Sequence, residues 1–426
     1  MTQKLKLINY YDVYLKPLLI CWFFIAAYCA AAIVFPFSGS EGVAYGVVLL
    51  ILFASLCFIF SFVFIGVCSK FLQGRKFSVQ SSGDSVLPFL FAIIGIALIV
   101  IDRVYFRGID FVTMSPAEIR NKITAESTGG VSSIFSILGN VLQCFVVVSA
   151  FNSIFKDAGY RLFFKQALFL MVVFGSSYLL GGRTPLMTYL VIVFSIYICS
   201  GRAVSVFSAL KFIFPAFFVA MIFALSIFSL RASAVGIDSG EYLSAMLVHL
   251  GAENASVNSS GGEIGADALN FLYVVMTYLL HPFWVSSEIV VDTERGGHIS
   301  FYALLFLFSK FFSIDLPGAK HAYYELFSSL PGGLYYDFGF FGLFVYSFLL
   351  SAFGFLGLIL LVVSKGLSKV GFVIIVFCVA TLFLSPLLHS LNFVFFVFYM
   401  AVLFMYSIVK DSHNMFPCKL LVRNCG

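Results

Sequence analysis

The sequence predicts an all-α protein, a polytopic integral membrane helix bundle of 10–12 transmembrane helices with cytoplasmic N- and C-termini. The first observation is composition, because 61% of the 426 residues are hydrophobic and only 11% are charged. A soluble protein of this length needs more polar residues to cover its surface. The second observation is that apolar runs long enough to span a bilayer recur along the whole chain. The third is the position of the basic residues between these runs.

Ten apolar runs are predicted to cross the bilayer as helices, because their apolar residues are continuous rather than alternating. We treat residues 1–426 as one membrane domain, since no Pro-rich or Ser-rich linker divides the chain. The ten runs cover residues 17–36, 43–67, 87–101, 131–151, 166–182, 184–200, 212–230, 339–364, 370–388 and 391–409.

Basic residues concentrate in every second connection between these runs. The six segments predicted to be cytoplasmic hold 16 of the 25 basic residues and 4 of the 20 acidic residues. Cytoplasmic loops of membrane proteins carry such an excess of Lys and Arg. The net charge of +5 is therefore a topology signal and gives no reason to expect nucleic acid as a partner.

A large periplasmic loop region is predicted at 231–338, and two weaker apolar segments lie inside it. The segments 271–291 and 300–316 are interrupted by charged residues, by His281 and by Pro282. They form either a membrane hairpin, which makes twelve crossings, or re-entrant or interfacial helices on the outer side. Both alternatives leave the C-terminus in the cytoplasm.

Several arginines fall on the predicted outer face, against the charge bias of the chain. Arg183 lies in the tight turn Gly-Gly-Arg-Thr-Pro, and Arg231 ends the seventh crossing. Arg103 and Arg107 follow the third crossing, and Arg120 lies in a short helix predicted from the capping box that starts at Ser115. An arginine at a membrane boundary can simply extend its charged group towards water. The alternative is that these guanidinium groups bind an anion.

The densest group of His, Tyr and carboxylate residues ends the large loop. It includes His321, Tyr335, Tyr336 and Asp337. Tyrosines are common in the aromatic belts of membrane proteins, which explains most of them. Aromatic rings also stack on sugars, and His or Asp can accept a proton. His281 competes with His321 for such a role.

Motifs that would indicate other activities are missing from the sequence. It has no Asp-x-Asp, no P-loop, no dinucleotide-binding glycine pattern and no Gly-x-Ser-x-Gly. The crossings contain almost no charged residues, whereas coupled transporters usually need them. We therefore expect no metal and no cofactor.

Three short motifs on the outer face resemble those of one family. Gly-Gly-Arg183-Thr-Pro-Leu-Met resembles the small-small-Arg turn of O-antigen polymerases and ligases. Leu-Tyr-Tyr-Asp337-Phe-Gly-Phe-Phe-Gly342 resembles the start of a late helix in Wzy-type polymerases of oligosaccharide repeat units. Asp102-Arg103, with Arg107-Gly-Ile-Asp110, is similar to the same group.

The resemblance implies a metal-independent glycosyltransferase of lipopolysaccharide biosynthesis, a multi-pass protein of the bacterial inner membrane. It would join undecaprenyl-diphosphate-linked oligosaccharide repeat units on the periplasmic face, among membrane lipid, together with a chain-length regulator protein. Arg183 and Arg231 would bind the diphosphate, His321 would be the base, and Asp337 would orient His321 or be the base itself. Further candidates for substrate binding are Arg103, Arg107, Arg120, His281, Tyr335 and Tyr336.

Two other functions stay open at this point. An O-antigen ligase uses nearly the same donor chemistry and differs only in its acceptor. A flippase for lipid-linked oligosaccharides has a similar size and hydropathy, but it needs cationic residues inside the bundle.

Overall fold

A computed structural model describes most of the predicted helices and their packing. The described residues form helices joined by short turns. They are residues 10–72, 85–110, 114, 122, 134–180, 184–201, 222, 225, 226, 228, 229, 232, 233, 236–252, 264–292, 300, 328–364, 368–387 and 389–415.

The helices of the described residues are numbered here in chain order. A π-helical turn, Tyr11–Leu15, leads directly into the first of them. The helices are α1 (Lys16–Val34), α2 (Ala44–Val67), α3 (Ser69–Leu72), α4 (Val86–Ile101), α5 (Ile134–Gln143), α6 (Val146–Lys156), α7 (Gly159–Leu179), α8 (Thr184–Cys199), α9 (Ser239–His249), α10 (Ile264–Val291), α11 (Leu330–Val363), α12 (Lys369–Leu384) and α13 (Val394–Met415).

The prediction of a polytopic all-α membrane protein is confirmed. Within the described residues, eight helical stretches are long and apolar enough to cross a bilayer, and α8 and α12 are shorter apolar helices. The predicted run 131–151 is divided between α5 and α6, which are separated by a short turn. Most of the predicted run 212–230 lies outside the described residues.

Contacts between side chains show which helix ends lie together. Tyr406 at the end of α13 donates a hydrogen bond to Asn152 of α6 over 3.0 Å, and Lys165 of α7 donates to Ser85 over 3.3 Å. These residues lie at one end of the bundle, which we name end B. The opposite end, end A, holds the α1–α2 connection at 35–43 and the α12–α13 connection at 385–393.

The two ends differ in charge among the described residues. End B carries Lys16, Lys70, Lys156, Arg161, Lys165, Lys369 and Lys410, whereas end A carries Arg103, Arg107 and Lys122. The excess of basic residues at end B predicts that end B faces the cytoplasm and that end A faces the opposite side of the membrane.

Helix α10 runs across end A. The ring of Tyr273 contacts that of Phe37 at 5.6 Å, and the side chain of Glu288 lies against Gly39. Tyr273 and Glu288 are fifteen residues apart, about 22 Å along a helix, yet both contact the same connection between α1 and α2.

Other contacts of α10 agree with this direction. Ser287 accepts a hydrogen bond from the Gly46 amide at 3.0 Å, in the first turn of α2, and Gly46 also packs on the Phe283 backbone. Tyr28 of α1 donates a hydrogen bond to the Leu279 carbonyl. These contacts lay α10 along the α1–α2 connection, and the same helix is also long and apolar enough to cross a bilayer. The segment 300–316 lies outside the described residues, except for Ser300.

Helix α11 begins nine residues before the predicted start of its crossing and bends at Gly339. Gly339 has φ of 64° and ψ of −159°, which interrupts the helical conformation. Beyond the bend, α11 packs antiparallel to α12, with Cys378 on the Leu350 carbonyl at 3.4 Å. Before the bend, the amide of Leu330 donates to the Ser385 carbonyl at 2.8 Å. A straight helix would carry Leu330 about 30 Å beyond Leu350, so residues 330–338 fold back over end A.

Candidate functional site

End A brings together most of the candidate residues that the structure describes. Four candidates, Arg120, Arg183, Arg231 and His321, lie outside the described residues. In sequence, Arg183 falls between the end of α7 and the start of α8, and both of these helix ends lie at end A. The described candidates fall into an ion cluster and two helical segments.

The ion cluster is built around the buried carboxylate of Asp102. Arg107 contacts Asp102 Oδ2 through Nε at 2.9 Å, and Arg103 Nε lies 3.9 Å from the same oxygen. The Asp102 side chain is fully buried, and that of Arg103 is 6% exposed. A buried carboxylate is costly without a cationic partner, so the three residues depend on one another.

A π-helical turn over Asp102–Phe106 explains how Asp102 and Arg107, five residues apart in sequence, can form an ion pair. The amide of Arg107 donates to the Asp102 carbonyl at 3.1 Å, which stacks the two side chains on one face. Such turns inside helices are frequent at functional sites. The next residues are also held, because Lys122 donates from Nζ to the Gly108 carbonyl at 2.8 Å. The sequence motif is thus one local unit.

Asp337 lies at the end of the segment 330–338, two residues before the bend. Its Oδ2 accepts a hydrogen bond from the Ser300 amide at 2.9 Å. After the bend, Gly342 leaves no space for a side chain, since an added Cβ would lie 3.0 Å from the Leu334 carbonyl. The two glycines of the Asp-Phe-Gly-x-x-Gly motif therefore form a sharp bend that fixes the direction of the Asp337 side chain.

Tyr335 and Tyr336 belong to the same segment and lie in the interior. They are 5% and 7% exposed. The Tyr335 ring packs edge-on against Phe340 at 4.9 Å, across the bend. In this structure both rings pack against protein.

His281 is buried in the middle of α10. Its Nδ1 lies 2.8 Å from the Tyr278 carbonyl, one helical turn before it. Its ring packs near those of Tyr278 and Trp284, and Trp284 Nε1 donates to the Leu250 carbonyl at 2.9 Å. Helix α9 therefore covers α10 near His281.

A contact between α10 and α11 was not predicted. Ser286 Oγ and Ser329 Oγ are 2.7 Å apart, and the Ser329 amide donates to Ser286 Oγ at 3.2 Å. Gly332 packs directly on Ser286. The only sequence signal is small residues in an apolar helix and in Pro-Gly-Gly, a composition typical of close helix contacts in membranes but also of loops.

End A carries groups that suit an anion, Arg103 and Arg107, and groups that suit proton transfer, Asp337 and His281. Guanidinium groups bind phosphate oxygens in pairs, and a carboxylate or an imidazole can accept a proton. Within the described part of the chain, no group of three or more His, Cys, Asp or Glu residues could hold a metal ion. Comparisons with protein families, with curated proteins and with solved structures give no match to this chain.

Proposed function

We propose that this protein polymerises a surface polysaccharide, such as O-antigen, by joining lipid-linked oligosaccharide repeat units at the periplasmic face of the bacterial inner membrane. The observation that carries the proposal is that arginines gather at end A, against the basic charge of end B. Arg103 and Arg107 are there, and Arg183 falls between two helix ends that are there. The family resemblance of the motifs around Arg183 and Asp337 supports the same activity.

The reaction transfers the growing glycan from its undecaprenyl diphosphate to a hydroxyl of a single lipid-linked repeat unit. The hydroxyl oxygen forms a bond to the anomeric carbon, and the bond from that carbon to the diphosphate oxygen breaks. Negative charge develops on the leaving diphosphate, and Arg183 and Arg231 stabilise it. The hydroxyl proton passes to His321, oriented by Asp337, or to Asp337 itself.

Arginines at the boundary of a bilayer stabilise developing charge strongly. Partial exclusion of water strengthens each interaction with the developing charge, and loss of one preorganised donor typically costs about 3 kcal/mol of transition-state stabilisation. The ion cluster of Arg103, Arg107 and Asp102 would add a second positive region for the carrier lipid or the glycan. The chain-length regulator would act on this chain from outside the site.

The deciding experiment is a lipopolysaccharide profile of a deletion strain complemented with variants. A strain without a polymerase carries lipopolysaccharide capped by one repeat unit. Loss of a ligase leaves no repeat unit on lipid A core, and loss of a flippase traps repeat units in the cytoplasm. The one-unit profile is therefore the expected result.

Single substitutions then test the diphosphate role. Arg183→Ala and Arg231→Ala should each abolish long polymer at normal protein level. Arg202→Ala, in a connection predicted to be cytoplasmic, is the control and should give normal polymer. Normal polymer from both outer variants would reject the diphosphate site.

A further inference from the structure

The segment 330–338 is fixed at its first turn by the contact with α10. We name Ser286, Ser329 and Gly332 the serine contact. Ser286 Oγ bonds both Ser329 Oγ and the Ser329 amide, at 2.7 and 3.2 Å, and Ser329 Oγ accepts from the Gly332 amide at 3.1 Å. Ser286 is fully buried, and Ser329 is 1% exposed. These bonds join α10 to the start of α11 through two serines that are 43 residues apart in sequence.

The first turn of the segment is saturated by protein groups. The amide of Leu330 donates to Ser385, that of Gly332 to Ser329 Oγ, and that of Gly333 to the Ser329 carbonyl at 2.9 Å. Pro331 has no amide hydrogen. These amide hydrogens are thus used to hold the segment in place.

Gly332 lets the two helices approach this closely. A Cβ added at Gly332 would overlap Ser286 Oγ and would lie 2.8 Å from Ser286 Cβ. Any larger residue must push the segment away from α10. The contact therefore sets where the segment begins, and its position is sensitive to a single methyl group.

A displacement at Gly332 reaches Asp337 because the segment between them is a packed helix. The two residues are five positions apart, about 7.5 Å along the helix axis. The residues from Leu330 to Tyr336 are all buried, so they cannot absorb the shift by moving into solvent. At the far end, Asp337 meets the Ser300 amide.

We infer that Ser286, Ser329 and Gly332 are positioning residues, which place the Asp337 carboxylate for proton transfer from the acceptor hydroxyl. The inference rests on the proposed function, since Asp337 is given a catalytic role there. The hydrogen bond from the Ser300 amide stabilises the ionised form of the Asp337 carboxylate. Displacement of the segment weakens that bond and so disfavours the ionised form.

The test uses the purified full-length protein and the native lipid-linked repeat unit extracted from the deletion strain. Gly332→Ala should reduce kcat about 10- to 100-fold, the range expected for misplacement by about 1 Å, with little change in KM. The acidic limb of the pH–rate profile should move to higher pH. Loss of folded protein alone would lower the rate without moving that limb.

The compensating variant makes the test specific. Ser286→Gly removes the atoms that an alanine at position 332 would meet, and with them the hydrogen bonds to Ser329. Ser286→Gly combined with Gly332→Ala should therefore match Ser286→Gly alone in kcat and in the acidic limb, because the overlap is gone. If Gly332→Ala does not accumulate, Ser286→Ala serves instead, because it removes both hydrogen bonds from Ser286 to Ser329 and creates no overlap. Its rate should fall by more than the roughly 3- to 10-fold that one hydrogen bond is worth, with the same direction of shift.

The outcomes separate this inference from the proposed function. An unchanged acidic limb in Gly332→Ala, or in Ser286→Ala where that variant serves, overturns the positioning role while wild-type polymerisation stands. A combined variant that is slower than Ser286→Gly alone also overturns it. If the wild-type protein makes no polymer from the repeat unit, the proposed function fails. In that case, a disulfide in Ser286→Cys combined with Ser329→Cys, absent from each single variant, still tests the contact.

Discussion

The bend at Gly339 should depend on glycine because of its backbone conformation alone. With φ of 64° and ψ of −159°, the residue occupies a region that is essentially restricted to glycine. An added Cβ would meet nothing within 4 Å, so no steric overlap contributes. Residues forced into such regions cost about 1–3 kcal/mol each. Gly339→Ala should therefore destabilise the folded protein by about this amount.

The alternative for the variant is to straighten α11, because alanine favours helix at position 339. A straight helix would remove Leu330 from the Ser385 carbonyl and Ser329 from Ser286, so the straightened state also loses buried hydrogen bonds. Both routes lower stability. The bend should persist only at reduced occupancy, and polymer formation should fall with it.

Thermal unfolding of the detergent-solubilised protein measures the effect. Gly175→Ala is the matched control, since Gly175 lies inside α7 and a Cβ there also meets nothing within 4 Å. Alanine in a helix interior is more favourable than glycine by about 0.5–1 kcal/mol, so this variant should melt at or above the wild-type temperature. A melting temperature for Gly339→Ala equal to that of Gly175→Ala would refute the argument.

Three further predictions concern end B, the topology and pH. Lys165→Met should lower the melting temperature, by about 1–3 kcal/mol of stability, because Lys165 contacts the buried Asp157 at 2.7 Å; an unchanged temperature would contradict this. Ser40 at end A and Ser412 at end B are both exposed. Ser40→Cys should react with an impermeant maleimide in intact cells, whereas Ser412→Cys should react only after permeabilisation. The reverse pattern would invert the topology. Burial lowers the pKa of His389, in the α12–α13 connection, to about 3. Between about pH 6.5 and pH 3, the unfolded chain therefore binds a proton that the folded protein does not. Stability should decrease as the pH falls through this range, by up to roughly 1.4 kcal/mol per pH unit. Melting curves of His389→Gln should show a weaker dependence on pH than those of the wild-type protein.

Most membrane helices could be predicted because hydropathy alone specifies them. A helix that faces lipid must be apolar over its whole length, and α2 and α4 are. The hydropathy of α10 predicted a membrane helix only weakly, and the reason is physical. Of its most apolar window, 67% is buried inside the protein, more than in any other of the eight long helices of the described residues. A helix surrounded by protein can carry His281, Pro282 and Glu288 without exposing them to lipid.

The start of α11 was predicted too late because Pro331-Gly332-Gly333 is typical of a turn. The structure shows that these residues begin a helix. Ser329 caps it and Pro331 is in its first turn, where the missing amide hydrogen costs nothing. Gly332 is required by the close contact with Ser286. A single sequence does not distinguish a glycine needed for a turn from one needed for a contact 43 residues away.

The candidate site was predictable where its partners are close in sequence. Asp102 and Arg107 are five residues apart, and the Asp337 motif contains its own bend. The serine contact could not be predicted, because its hydroxyl groups come from two helices and serine has no distinctive pattern. Long-range pairs of small polar residues leave no periodic signal, unlike an apolar helix face.

The weak apolar segment 271–291 and the segment 330–338, which was predicted as part of the large loop, are neighbours in the fold. Both lie across end A, and both are covered by other helices rather than by lipid. Polar backbone and side-chain groups are tolerated at membrane depth only where protein or a water-filled cavity surrounds them. Their burial therefore explains how Ser286, Ser329 and His281 can remain in an apolar bundle. Charges that develop where water is restricted are stabilised more strongly by fixed dipoles than in water. The departure from the simple transmembrane pattern and the proposed chemistry thus have the same physical origin.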